Sequence, residues 1–277
     1  MKLEQASLTF IGGGNMAGSI IGGLLAAGID ARRITVSDPS SESLDRVRQL
    51  GEVNTTQDNA TAVAGADVVI MAVKPQVMRD IAQALAPALQ ARKPMVISIA
   101  AGIRSGSLSQ WLGGNCPVVR CMPNTPALLA SGATALHADQ QVSDEQRQLA
   151  EAILQAVGLS VWVQEESELD VVTAVSGSGP AYFFLLMEAM QAEAEAMGMS
   201  PDTASQLIAQ TALGAARMAQ ESGSAPAELR RQVTSPGGTT AAALNQFAND
   251  EFIAVVGRAL RAAHDRSISM SAELEQD

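Results

Sequence analysis

The stretch Phe10-Ile11-Gly12-Gly13-Gly14-Asn15-Met16-Ala17 constrains the fold of this chain more than any other. It joins an apolar, β-branched run at residues 8–12 to an alanine- and isoleucine-rich helical run at residues 15–27. Gly12, Gly14 and Ala17 fill the G-x-G-x-x-A pattern in the strand-to-helix context that gives the pattern its meaning. Gly12 permits a tight turn, Gly14 lets the backbone approach a pyrophosphate, and Ala17 lets the helix pack closely on the strand. A loop of this kind predicts a dinucleotide site at the first turn of an α/β sheet.

The rest of the chain agrees in its rhythm. Further strands are predicted at residues 34–37, 68–73, 95–99, 118–122, 133–137 and 159–163, with helices at 41–50, 76–89 and 144–157. Alternation of this kind argues for an α/β fold, a doubly wound and mainly parallel sheet covered on both faces. The β signal then stops. Helices are predicted at 180–197, 201–221, 225–232, 236–249 and 251–271, with Pro180, Pro201 and Pro236 each suited to a first turn and Gly198 and Gly223 to C-terminal stops. Two domains follow, 1–165 for the dinucleotide and 166–277 all-helical. Phe183, Phe184, Leu185, Leu186, Met187, Met190 and Met197 surround much of one helix. That pattern reads first as a buried core helix and, more sharply, as a surface between subunits.

Composition narrows the function classes. The formal net charge of −11 argues against general affinity for nucleic acid or anionic membranes. The densest apolar run, residues 68–73, is far shorter than a membrane span, and the N-terminus enters a strand without a secretory apolar segment. A cytoplasmic protein is expected. Cys116 and Cys121 match no CxxC or zinc spacing and read as buried, reduced thiols. With only His137 and His264, neither a histidine-rich metal site nor a Ser-His-Asp triad is expected.

Other segments add candidate contacts. Ser37-Asp38 ends the second strand, where an acidic residue can bind a ribose 2′-hydroxyl and favour NAD. Ser37, Ser40 and Ser41 can instead donate to a 2′-phosphate, so both cofactor choices stand. Ala72-Val73-Lys74-Pro75 turns sharply at the carboxyl edge of the sheet, which favours Lys74 as a cofactor contact over a solvated lysine. Residues 99–102 and 122–126 end two more strands with small or proline-stiffened turns suited to walls around a nicotinamide ring. Far along the chain, Ser235-Pro236-Gly237-Gly238-Thr239-Thr240 reads as an anion-holding helix start. Ser235 fits the N-cap and Pro236 the N1 position, with two glycines where a ligand approaches and two threonine hydroxyls in the same turn.

Taken together, residues 10–17, 72–75, 98–102, 122–126, 176–182 and 229–240 resemble, in order, the motifs of the pyrroline-5-carboxylate reductases. The resemblance covers nearly the whole chain. It implies a Rossmann domain followed by a helical domain that interlocks with a second subunit, in a homodimer sometimes assembled to a decamer. It implies hydride transfer from NADPH, with NADH possible because of Asp38, to the C=N carbon of Δ1-pyrroline-5-carboxylate, giving L-proline. Ile11, Gly12, Gly14, Asn15 and Met16 would hold the pyrophosphate. Ser37, Asp38 and Asn59 would lie beside the adenosine ribose, and Ala72, Val73, Lys74, Pro75 and Ala101 towards the nicotinamide. Ser235, Gly237, Gly238, Thr239 and Thr240 would receive the substrate, with the Thr240 hydroxyl facing the ring nitrogen. Tyr182 reads as packing at a helix start. A β-hydroxyacid dehydrogenase would need a lysine where Phe183 stands, and no lysine follows Lys93. A non-catalytic dinucleotide sensor would leave residues 235–240 without a purpose.

Overall fold

The computed structural model describes residues 1–276. Contacts divide the chain into two compact units, Met1–Ser178 joined by the chain from Ala263 onward, and Gly179–Ala262. The expected boundary at 165/166 marks the change in composition, but residues 166–178 and the end of the last helix pack with the sheet.

Among the described residues, the sheet unit contains β1 (Leu8–Ile11), α1 (Asn15–Ala26), β2 (Ile34–Ser37), α2 (Ser41–Arg48), β3 (Asn54–Thr56), α3 (Asn59–Val63), β4 (Val68–Met71), α4 (Pro75–Arg92), β5 (Met95–Ser98) and α5 (Ser105–Trp111). It continues with β6 (Val118–Met122), β7 (Gly132–Ala138), α6 (Asp144–Gln155), β8 (Gly158–Trp162) and α7 (Glu168–Val172). The strand order is β3-β2-β1-β4-β5-β6-β7-β8. All neighbours are parallel except β6 and β7, which run antiparallel. Order therefore reverses between β1 and β4, and the crevice at their carboxyl ends is the expected ligand position.

Strand alternation builds two cores. Val68 and Ile70 of β4, with Leu8 and Phe10 of β1, face Ile20, Ile21 and Leu24 of α1 and Ile153 and Leu154 of α6. Val69 and Met71 face the other way, onto Met78, Leu85 and Leu89 of α4 and Leu108 of α5. Because β1, β4 and β5 are buried on both faces, they read as continuous apolar runs. Cys116 and Cys121 are free and buried, and burial pushes the Cys121 thiol pKa up. The short β3 escapes the sequence pattern because its three residues, Asn-Thr-Thr, are polar and carry no apolar alternation.

A π-helical turn, Thr173–Gly177, carries α7 into α8 (Gly179–Ala196). The helical unit adds α9 (Pro201–Glu221), α10 (Pro226–Gln232), α11 (Thr239–Asn249) and the start of α12 (Phe252–Gln276). The reading of 180–197 as a buried core helix is overturned. Phe183, Phe184 and Leu185 are each more than 60% exposed, and Leu186, Met190 and Met197 are exposed as well. Leu207, Leu213, Met218, Phe247 and Ile253 extend this apolar surface over α9, α11 and α12. Apolar surface exposed on this scale marks an interaction face. By length and composition alone, the segment Glu168–Ala196 is long and apolar enough to cross a membrane, unlike the run at 68–73.

The start of α11 is a second correction. The helix begins at Thr239 with Gly238 as N-cap, not at Pro236 with Ser235 as N-cap. Gly237 adopts φ +71°, and the Gly238 N–H returns to the Ser235 carbonyl at 3.1 Å. That closes a turn over residues 235–238, and the helix can start only after it.

Candidate active site

The glycine loop is fixed by backbone hydrogen bonds from the strands on either side. Gly12 donates its N–H to Ser37 O at 2.7 Å, and the Ala72 N–H reaches Ile11 O at 2.8 Å. Gly12 sits at φ +101°, and a Cβ there would lie 2.5 Å from the Ala72 carbonyl oxygen. Only glycine fits. A Cβ at Gly14 would meet nothing within 4 Å, so open space lies in front of this residue, where a ligand's diphosphate needs it. Gly14 is also the N-cap of α1 and supplies no side-chain cap, leaving the first-turn amides of Asn15 and Met16 for an anion. Loop and helix start therefore fit a dinucleotide.

At the end of β2, the buried Ser37 donates its hydroxyl to Asn59 Oδ1 at 2.6 Å. Asn59 opens α3 beside it. Asp38 accepts the Gly13 N–H at 2.8 Å through Oδ2 and the Ser40 N–H at 2.8 Å through Oδ1, while Ser40 caps α2. Lys74, exposed, is the N-cap of α4, and Pro75 occupies its first turn. Ile11, Ala72, Val73 and Lys74 thus come to the same sheet edge as the glycine loop, as the sequence predicts.

Ala101 follows β5, next to Gly102 at φ +77°. The last helix closes over this turn: a Cβ on Gly102 would lie 3.0 Å from Leu274 Cδ1 and 3.3 Å from Met270 Cε. Three residues beyond Gly102, Ser105 donates its N–H to Glu166 at 2.6 Å and its hydroxyl at 2.8 Å, and Arg120 donates to the same carboxylate at 3.1 Å. Burial pushes the Glu166 carboxyl pKa up most strongly of any single cause. The Ser105 and Arg120 interactions together outweigh it, and the value stays below the usual glutamate range. The sequence reading missed Glu166 and Arg120. Its one available signal was an arginine inside the apolar strand Val118-Val119-Arg120-Cys121.

The motifs at 122–126 and 176–182 also meet. Buried Asn124 donates to Ser176 O at 3.0 Å and accepts the Ala133 N–H at 2.9 Å. Gly177 leaves room for Met122, whose Cε would lie 2.5 Å from a Cβ. Tyr182, half-buried, has a hydroxyl shut from solvent without a hydrogen-bond partner.

Ser235, Gly237, Thr239 and Thr240 are exposed and Gly238 half-exposed, all on the helical unit. With no side-chain cap at Gly238, the Thr239 and Thr240 amides at the start of α11 are open to an anion.

A family described as NADP oxidoreductase, coenzyme F420-dependent, matches residues 7–102, across the glycine loop and its crevice. The fold and this site define the chain as an NAD(P)H-dependent oxidoreductase. A second family, described as pyrroline-5-carboxylate reductase dimerisation, matches residues 166–270. The pyrroline-5-carboxylate reductase of Pseudomonas aeruginosa is 53% identical over 274 residues, covering 99% of this chain and 100% of that protein. The solved structure of a pyrroline-5-carboxylate reductase from Coxiella burnetii has 44% identity and a TM-score of 0.92, covering 96% of this chain and 98% of that one. A Plasmodium falciparum pyrroline carboxylate reductase with NADP bound has 27% identity and a TM-score of 0.87, covering 98% and 100%. The chain belongs to the pyrroline-5-carboxylate reductase family.

Proposed function

We propose that this protein catalyses the reduction of Δ1-pyrroline-5-carboxylate to L-proline, with the substrate carboxylate held at the start of α11. The uncapped helix start behind the glycine turn carries this reading, since it offers amides and two threonine hydroxyls but no acid. A cyclic imine accepts hydride best as its protonated iminium, so the chain need supply little proton chemistry. NADPH, when bound, supplies the hydride for the imine carbon. The chain's own residues align and exclude water. Gly14, Asn15 and Met16 hold the diphosphate, and the turn at Ala101 walls the nicotinamide side. Thr239 and Thr240 seat the substrate. The Thr240 hydroxyl orients the ring nitrogen and relays a proton from water, because a threonine hydroxyl is a poor acid alone.

The exposed apolar faces of α8, α9 and α12 support a homodimer, which can gather into a decamer; the partner subunit covers the apolar face of α8 in place of lipid. The charge of −11 speaks against nucleic acid as a partner. A cytoplasmic enzyme, with residues 1–165 binding cofactor and 166–277 dimerising and binding substrate, is the reading that fits best.

Thr240→Ala is expected to lower kcat/KM by about 2–3 kcal/mol of transition-state stabilisation, the usual size for one oriented hydrogen bond. Steady-state kinetics across pH checks this. Wild-type turnover at every pH would remove Thr240 from the mechanism.

A further inference from the structure

We infer that Asp38 is a positioning residue that sets the glycine loop, so that its removal weakens binding of both NADPH and NADH. This rests on the dinucleotide site proposed above. Two successive loop amides are tied to two successive residues at the end of β2: Gly12 N–H to Ser37 O at 2.7 Å, and Gly13 N–H to Asp38 Oδ2 at 2.8 Å. The second is a charge-assisted bond and the stronger kind. The other carboxylate oxygen takes the Ser40 N–H at 2.8 Å, which holds the β2–α2 turn against the same loop.

Two consequences follow. The Gly13 amide is taken by Asp38, so the donors left for a diphosphate are those of the α1 start, Asn15 and Met16, in front of the open space at Gly14. Asp38 also has one N–H on each oxygen, so its carboxylate is held in a single orientation between the glycine loop and the β2–α2 turn. An acidic residue at the end of β2 ordinarily reads the 2′ position. Here the same residue type serves the loop.

The test compares Asp38→Ala and the milder Asp38→Asn, which keeps one acceptor, with the wild-type full chain. NADPH and NADH dissociation constants are measured by cofactor fluorescence without substrate, a readout that stands even if the reductase reading fails. KM and kcat with Δ1-pyrroline-5-carboxylate follow. The inference expects Asp38→Ala to weaken NADPH and NADH each by about tenfold, with the loss in cofactor KM rather than kcat. Asp38→Asn should fall between Asp38→Ala and wild type. Affinity for either cofactor equal to or tighter than wild type in Asp38→Ala would overturn it.

Discussion

Glu166→Ala is expected to lower the unfolding free energy by about 3–5 kcal/mol, measured by denaturant titration at fixed protein concentration. Arg120, whose side chain is 5% exposed, would keep its charge and lose its carboxylate partner at 3.1 Å. A stranded buried cation costs far more than the pair contributes. The same change frees the Ser105 N–H and hydroxyl at the start of α5, three residues beyond Gly102, so cofactor KM should rise as well. Glu166→Gln, which keeps an acceptor for Ser105 but removes the charge, should cost less. Acid should reduce the effect of Glu166→Ala. The folded-state carboxyl pKa is depressed, so the stabilisation is complete above the unfolded glutamate pKa and is lost as pH falls through the lowered folded value. A Glu166→Ala penalty that stayed constant into strong acid would contradict this account.

Gly12→Ala and Gly14→Ala should separate two roles of the same loop. At Gly12 the backbone holds φ +101° and a Cβ would press within 2.5 Å of Ala72 O. The strained conformation alone costs about 1–3 kcal/mol, and the clash adds to it. Thermal unfolding should shift downwards and NADPH affinity should fall by about a hundredfold or more, roughly 2.7 kcal/mol. At Gly14 the backbone is extended, φ −72° and ψ −177°, and an added Cβ meets only open space. Alanine is therefore expected to leave unfolding near wild type and to raise NADPH KM, because the methyl occupies the approach of the diphosphate. Parallel melting curves and cofactor titrations read both. Equal stability losses in the two variants would show that the space before Gly14 is not reserved for a ligand.

Much of the architecture was legible because it rests on local rules. The glycine loop, β2 and β6 are where the sequence placed them, and the other expected strand ends fall within two residues, since apolar runs buried on both faces leave a strong signal. Local rules failed where a turn competes with a helix. Ser235 and Pro236 are good N-terminal residues, yet the positive φ of Gly237 closes a turn first and moves the helix start to Thr239. They failed again where burial depends on a second chain. The side chains of Phe183 to Leu186 have the composition of a core, and a single sequence does not say which molecule covers them. Most of the cofactor-edge residues could be named from motifs. Glu166 and Ser105 could not, because their link joins residues 61 apart in the chain and neither sits in a motif.

The most direct measurement is steady-state oxidation of NADPH and NADH by the full chain with Δ1-pyrroline-5-carboxylate as acceptor, with L-proline quantified as product. The account predicts turnover with stoichiometric proline from at least NADPH. Cofactor binding without oxidation by the imine in either case would contradict the reductase assignment and leave a dinucleotide-binding protein without this chemistry.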